Sequence, residues 1–339
     1  MGATVLVGGF FGDEGKGKII SYLALKDNPV AAVRGGVGPN AGHTVVVSGQ
    51  EIKLRMLPSA VINHRTRLML GAGVLIDPLV LADEVRRMDA ADRVLIDRMC
   101  GIIEEAHRDR DRTGHLKSVV GTTGTGTGPA NADRVLRSAR VAKDLPDLSR
   151  YVGDVAGELN RILEDDGTVL VEGTQGTFLS LYHGAYPYVT SKDVTASAIC
   201  SDVGIGPKRV DDVIVVFKAY VTRVGEGPLE GELRPDDAKQ RGWQEVAVVT
   251  GRTRRAAPFN LALARRATIL NSATQVALTK LDAIYPECKG KTIFEELAPE
   301  ARGFIKSIED HLGIPVTLIG TGPSAEELID RRALLVQPE

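Results

Sequence analysis

Residues Thr4–Lys18 read TVLVGGFFGDEGKGK. The first part is a β-branched, apolar run. The rest sets Gly8, Gly9, Gly12, Gly15 and Gly17 among two acids and two lysines. A buried strand that runs into a glycine loop and then a helix opens an α/β fold built to hold phosphate. Closely spaced glycines let backbone N–H groups converge on phosphate oxygens, and the helix N-terminus adds its positive dipole end. Lys16 can reach those oxygens as a point charge. The spacing is not that of a standard Walker A loop. Five residues separate Gly9 from Gly15, and Gly17 stands where a metal-binding Ser or Thr belongs. Asp13 is the nearest carboxylate that could hold Mg²⁺ instead.

Outward from this loop, similar apolar runs recur with glycine near their ends. They are Ala31–Gly36, Arg67–Val74, Thr168–Gly173, Val213–Tyr220, Val276–Asp282 and Pro315–Gly322. Such runs are what strands buried on both faces look like. Helices are expected over Gly15–Lys26, Pro78–Asp89, Leu148–Glu164, Asn260–Asn271, Ala301–Leu312 and Ser324–Arg332. The alternation predicts an α/β fold: a mostly parallel central sheet flanked by helices, with a P-loop-like nucleotide site and loop insertions. Gly121–Asn131, GTTGTGTGPAN, is too glycine-rich for the inside of an element and reads as a binding loop. Gly225–Asp237 reads as a surface excursion. One domain over residues 1–339 is the expected partition.

Composition narrows the class. The 339 residues are 43% hydrophobic and 25% charged, with a net charge of −2. That excludes disorder, collagen and coiled coil, and argues against a nucleic-acid or membrane binder that works by bulk charge. No apolar run approaches the length of a membrane-spanning helix, and the N-terminus lacks the pattern of a secretory signal. Cys100, Cys200 and Cys288 lie far apart, so free thiols in a reducing, cytoplasmic compartment are expected. Glycine is the excess: 37 residues, about 11% against a usual ~7%. It falls in clusters at the strand ends, where ligands bind in open parallel sheets.

The motifs GDEGKGK and GPNAGHTVV (Gly38–Val46) together resemble those of adenylosuccinate synthetases. Further matches follow in that family's order along nearly the whole chain. They are GTTGTGTGPANADR (Gly121–Arg134), EGTQGTFLSLYHGAYPYVTS (Glu172–Ser191), TRVGEGP (Thr222–Pro228), TGRTRR (Thr250–Arg255), TKLD (Thr279–Asp282) and TGP (Thr321–Pro323). The compact length is similar to that of archaeal members. The resemblance implies a GTP-dependent ligase of purine biosynthesis that joins IMP to L-aspartate and yields adenylosuccinate, GDP and phosphate. A base withdraws the purine N1 proton, O6 attacks the γ-phosphate, and the aspartate amine then displaces phosphate at C6.

Residue by residue, the resemblance implies catalytic roles for Asp13 as base, His43 as donor to phosphate oxygens and Gln175 beside O6. It implies Mg²⁺ held by Asp13 and the Gly42 carbonyl. It assigns GTP to Gly12, Glu14, Gly15, Lys16, Gly17, Lys18, Gly42 and Thr44, with the base read by Lys280, Asp282, Gly320, Gly322 and Pro323. It assigns IMP to Asp13, Asn40, Thr123, Gln175, Thr190 and Arg252, and to Arg137 reaching across a homodimer. It assigns aspartate to Thr250, Arg252 and Arg254. From the residues themselves, Arg252 and Arg254 alternate, so an extended chain would aim two guanidinium forks one way, as a dicarboxylate requires. An Asp at the end of TKLD could accept from guanine N1–H and the 2-amino group, which adenine does not offer.

The chain departs from the common pattern in places. Phe11 replaces the usual Trp, Thr253 interrupts a run of arginines, and AAPFN (Ala256–Asn260) and LEGEL (Leu229–Leu233) are unusual. Two alternatives therefore stay open. One is a phage-type enzyme that uses dGMP with ATP or GTP, although such enzymes typically lose the loop aspartate that Asp13 retains. The other is a non-catalytic GTP-binding regulator.

Overall fold

The computed structural model describes residues 2–246 and 251–335. Its strands in chain order begin with β1 (Ala3–Gly8), β2 (Ala31–Arg34), β3 (His43–Val47), β4 (Gln50–Leu54), β5 (Arg67–Leu70), β6 (Leu75–Ile76), β7 (Val94–Asp97) and β8 (Gly101–Ile102). They continue with β9 (Val152–Gly153), β10 (Val169–Glu172), β11 (Val210–Lys218), β12 (Tyr220–Arg223), β13 (Arg255–Pro258), β14 (Gln275–Thr279), β15 (Val316–Gly320) and β16 (Leu328–Asp330). The helices are α1 (Lys16–Asp27), α2 (Pro78–Arg87), α3 (Glu105–Arg112), α4 (Thr127–Leu136), α5 (Val155–Glu164), α6 (Ala196–Val203), α7 (Pro235–Gln240), α8 (Leu261–Asn271) and α9 (Pro299–Leu312).

Ten strands form one sheet in the order β16-β15-β14-β11-β1-β10-β2-β5-β7-β9. All its pairings are parallel except the edge pair of β15 with β16. Alternation along β1 shows how the layers arise. Val5 and Val7 enter an apolar cluster with Leu159 of α5, Ile199 of α6, Ala267 of α8 and Ile305 of α9. Leu6, one residue out of phase, enters the opposite cluster with Ile20 and Leu23 of α1 and Leu81 and Val85 of α2. A sheet covered on both faces needs apolar residues at every position, which is why its strands read as continuous apolar runs. Among the described residues, no helix is long and apolar enough to cross a membrane.

The expected strands are all present. Two expected helices are not as read. Ser324–Arg332 is a turn followed by β16, whose Leu328 and Ile329 pair with Gly320 and Ile319. Lys18 Nζ takes the carbonyls of Gly322 (2.5 Å), Ser324 (2.6 Å) and Glu327 (2.7 Å), and the Ser324 carbonyl is one that a helix here would need for itself. In Leu148–Glu164 the helix begins only at Val155. Asp154 caps it by accepting from Gly157 N at 2.9 Å, and β9 precedes it. The glycine loop from Gly121 ends sooner than its composition suggests. Gly126, at φ 85, caps α4, and that helix runs on through the GPANADR stretch.

The two clusters make a simple forecast. Leu6→Ala should lower stability by about 2–5 kcal/mol, because the site cannot collapse between sheet and α1. Leu79→Ala, on the open face of α2 and 76% exposed, should stay within about 0.5 kcal/mol. Unfolding midpoints in denaturant check both.

Candidate active site

The C-terminal ends of the parallel strands carry the glycine loops to one edge of the sheet. There they surround a cavity of about 810 Å³. The phosphate loop between β1 and α1 is shaped from within. Glu14 is buried, and its Oε1 accepts from Phe10 N (3.0 Å) and Gly12 N (2.8 Å) while Oε2 meets Lys16 Nζ at 3.1 Å. Lys16 Nζ also donates to the Gln175 carbonyl, and Thr279 Oγ1 donates to the Glu14 carbonyl at 2.6 Å. The loop is thereby tied to the ends of β10 and β14. Gly176 shows how close the two loops lie: a Cβ there would come 2.4 Å from Gly12 N. Gly15, at φ 89, turns the chain into α1.

Of the expected residues, Gly12, Asp13, Gly15, Lys16, Gly17, Lys18, Asn40, Gly42, His43, Thr44, Thr123, Gln175, Thr190, Arg252, Arg254, Lys280, Gly322 and Pro323 all line this cavity. Glu14 does not; its carboxylate turns inward. Lys18 borders the cavity, but its ammonium is anchored to the Gly322–Glu327 segment. Burial pulls Lys18 down to about 8, against the opposing pull of Glu327 and Asp282. Gly320, Asp282 and Arg137 are not part of the lining. Gly320 packs against the Lys18 stem, and Arg137 stands exposed at the end of α4. Thr250 lies outside the described residues.

Several of these positions are strained or unpaired. Asp13 (φ 63), Gln175 (φ 53) and Lys280 (φ 61) hold left-handed backbone, a cost that accumulates at functional sites. Asn40 Oδ1 and Asp282 Oδ1 are buried without a hydrogen-bond partner. Arg254 Nε lies 3.0 Å from Asp13 Oδ2, and its Nη1 pairs with Glu245. Arg252 instead donates to the carbonyls of Gly121 (2.7 Å) and Thr122 (2.9 Å). The two forks thus face one cavity but engage different walls. His43, the first residue of β3, is buried and contacts Glu172 through Nδ1. Burial draws its pKa below the ordinary histidine value, against the pull of Glu172.

Comparison with known proteins gives the family. The family model for adenylosuccinate synthetase matches residues 5–150 and 140–289. An adenylosuccinate synthetase of Archaeoglobus fulgidus is 52% identical, over 98% of this chain and 99% of its own. One from Methanocaldococcus jannaschii is also 52% identical, over 97% of this chain and 96% of its own. The chain belongs to the adenylosuccinate synthetase family. It is a GTP-dependent ligase that condenses IMP with L-aspartate. The fully ligated Plasmodium falciparum adenylosuccinate synthetase superposes with a TM-score of 0.88 at 25% identity, covering 97% of this chain and all of that one. A cyanophage S-2L succinoaminodeoxyadenylate synthetase, bound to dGMP and dATP, superposes with a TM-score of 0.81 at 26% identity, over 98% of this chain and 97% of that one. The phage-type reading therefore rests on a much more distant relative than the archaeal synthetases, and a non-catalytic regulator is replaced by an enzyme.

Sequence reasoning missed several supports. Arg223, within TRVGEGP, is buried and donates to the carbonyls of Glu226, Pro228 and Tyr188, with its guanidinium 4.5 Å from the Phe11 ring centroid. Lys218, Tyr220 and Arg254 converge on Glu245. A lone acid ahead of an apolar stretch carries no motif that would have flagged it. Burial pushes Glu245 up, but Lys218, the Tyr220 hydroxyl and Arg254 together bring it down to about 2 from 4.5. A depressed carboxylate contributes stability above its unfolded value and loses it as pH falls through the folded one. Glu245→Gln should therefore unfold more easily than the parent near pH 6. The gap in melting temperature should shrink as the pH falls from 4.5 toward 2.

Proposed function

We propose that the residues of this cavity divide the reaction as follows. Asp13 takes the N1 proton of IMP, O6 attacks the γ-phosphate, and GDP departs. His43 donates a proton to the phosphate oxygens, and Gln175 steadies the O6 side. The aspartate amine then attacks C6 and the O6–C6 bond breaks, releasing phosphate. Arg252, Arg254 and Thr250 hold the aspartate carboxylates. Asn40, Thr123 and Thr190 hold the IMP phosphate, with Arg137 supplied by a second copy in a homodimer. Backbone amides from Gly12 to Gly17, with Lys16, hold the GTP phosphates. The observation that carries this reading is the meeting of Asp13, on the phosphate loop, with Arg254 at 3.0 Å inside a cavity that His43 and Gln175 also line.

The donor set suits Mg²⁺. The partly exposed carboxylate of Asp13, in the phosphate loop, and the loop bearing the Gly42 carbonyl line the same cavity. Hard oxygen donors few in number fit a cation that takes its remaining ligands from substrate phosphates and water. Bound there, it would neutralise charge developing on the transferring phosphoryl group. Three buried free thiols, two of them well above the ordinary value through burial, suit a reducing compartment, and we place the enzyme in the cytoplasm.

Two variants test the assignments. Asp13→Asn should still bind GTP and IMP while turnover falls by several orders of magnitude; surviving phosphate release would remove Asp13 as base. Asp282→Asn should cost GTP about 10²-fold or more in kcat/KM and gain use of XTP, whose 2-oxo group can accept from the new amide. Unchanged preference for GTP over XTP would place guanine recognition elsewhere.

A further inference from the structure

Glu172 closes β10, just ahead of the loop that carries Gln175. It is completely buried, and the register sets it between Leu6 of β1 and Arg34 of β2. A carboxylate there is cut off from water and must find donors within the protein. Ser59 supplies two: its backbone N–H to Oε2 at 2.6 Å, and its hydroxyl to Oε1 at 2.7 Å. The third partner is His43 Nδ1, at Oε1. A backbone N–H can only donate, so Glu172 serves as an acceptor. Burial pushes its pKa up, yet His43, the Arg34 guanidinium and Ser59 hold it below the ordinary glutamate value. The shared proton therefore belongs to Nδ1, and Nε2 is the ring nitrogen left for the cavity that His43 lines.

Three charged groups face the imidazole from the elements around it. Arg34 from β2 and Lys16 from α1 oppose its protonation; Glu172 from β10 favours it. Resting on the role proposed for His43, we infer that Glu172 is its positioning residue. The carboxylate fixes the proton on Nδ1 and aims Nε2 at the transferring phosphate. The proton that moves passes from Nε2 of the doubly protonated ring to a phosphate oxygen, and leaves a neutral ring with its Nδ1 proton in place. The same logic holds a histidine against a buried carboxylate in hydrolytic triads.

Glutamine at this position cannot imitate the acid. Its amide nitrogen would face either the Ser59 N–H, donor against donor, or His43 Nδ1, which forces the opposite tautomer. Glu172→Gln should lower kcat about 10²–10⁴-fold, with KM for GTP and IMP little changed. Glu172→Asp, which keeps the charge at shorter reach, should recover part of kcat. In a His43→Asn background, Glu172→Gln should cost almost nothing further, since it acts through the ring.

A kcat near that of the parent, or a full additional loss on His43→Asn, overturns the inference and leaves Glu172 a structural anchor for Ser59. If His43→Asn alone keeps full turnover, it is the His43 assignment that fails. Should Glu172→Gln not fold, the nitrogen-15 shifts of His43 in the unaltered protein decide the matter. A protonated Nδ1 is expected, and a proton on Nε2 alone in the neutral ring overturns the inference.

Discussion

The structure turns on one buried carboxylate that cannot be left without donors. Glu14 lies in the middle of the phosphate loop, where a charge is costly unless every oxygen is answered. Phe10 N, Gly12 N and Lys16 Nζ answer it, and in doing so they bend the loop into its phosphate-facing shape. Lys16 then reaches the Gln175 carbonyl, and Thr279 reaches the Glu14 carbonyl. Three strand ends are joined through Glu14 and its partner Lys16. The glycines around it follow as a consequence: with the loops so close, Gly176 has no room for a Cβ beside Gly12 N.

The same device recurs along the sheet edge. Glu172 gathers Ser59 and His43 between β1 and β2, and Glu245 gathers Lys218, Tyr220 and Arg254 beyond β11. Replacing such a network whole by apolar residues can cost little, but removing one partner from it is costly, and a satisfied network favours one arrangement over others. That property is what a site needs when it must hold two phosphorylated purines and a dicarboxylate in register. The apolar clusters on the two faces of the sheet supply the stability, and the polar edge supplies the geometry.

The sheet and the phosphate loop were legible in the sequence because their signals are local. A strand buried on both faces is an apolar run, and a phosphate loop is a short cluster of glycines. The cavity lining was legible too, since most of its residues sit in short motifs at strand ends. What escaped was long-range. Ser324–Arg332 looks helical until Lys18, more than 300 residues away, takes its carbonyls. Lys18 itself looks like a phosphate ligand until the same contacts account for its ammonium. Glu172 stood in plain sight within EGTQG, but nothing local shows that a strand-end glutamate meets a histidine from a separate hairpin.

That asymmetry follows from how α/β sites are built. Residues that touch a ligand are presented by loops whose conformation demands particular side chains nearby, so their positions leave a pattern in sequence. Residues that hold those loops act across strands, where pairing order is free to bring any two segments together. Asp97 illustrates the point outside the site: from the end of β7 it accepts from Met99 N at 2.9 Å and from Val155 N at 3.2 Å, locking the start of a helix 58 positions along the chain. Supports of this type are fixed by the fold's topology, and the topology must be known before their chemistry can be read.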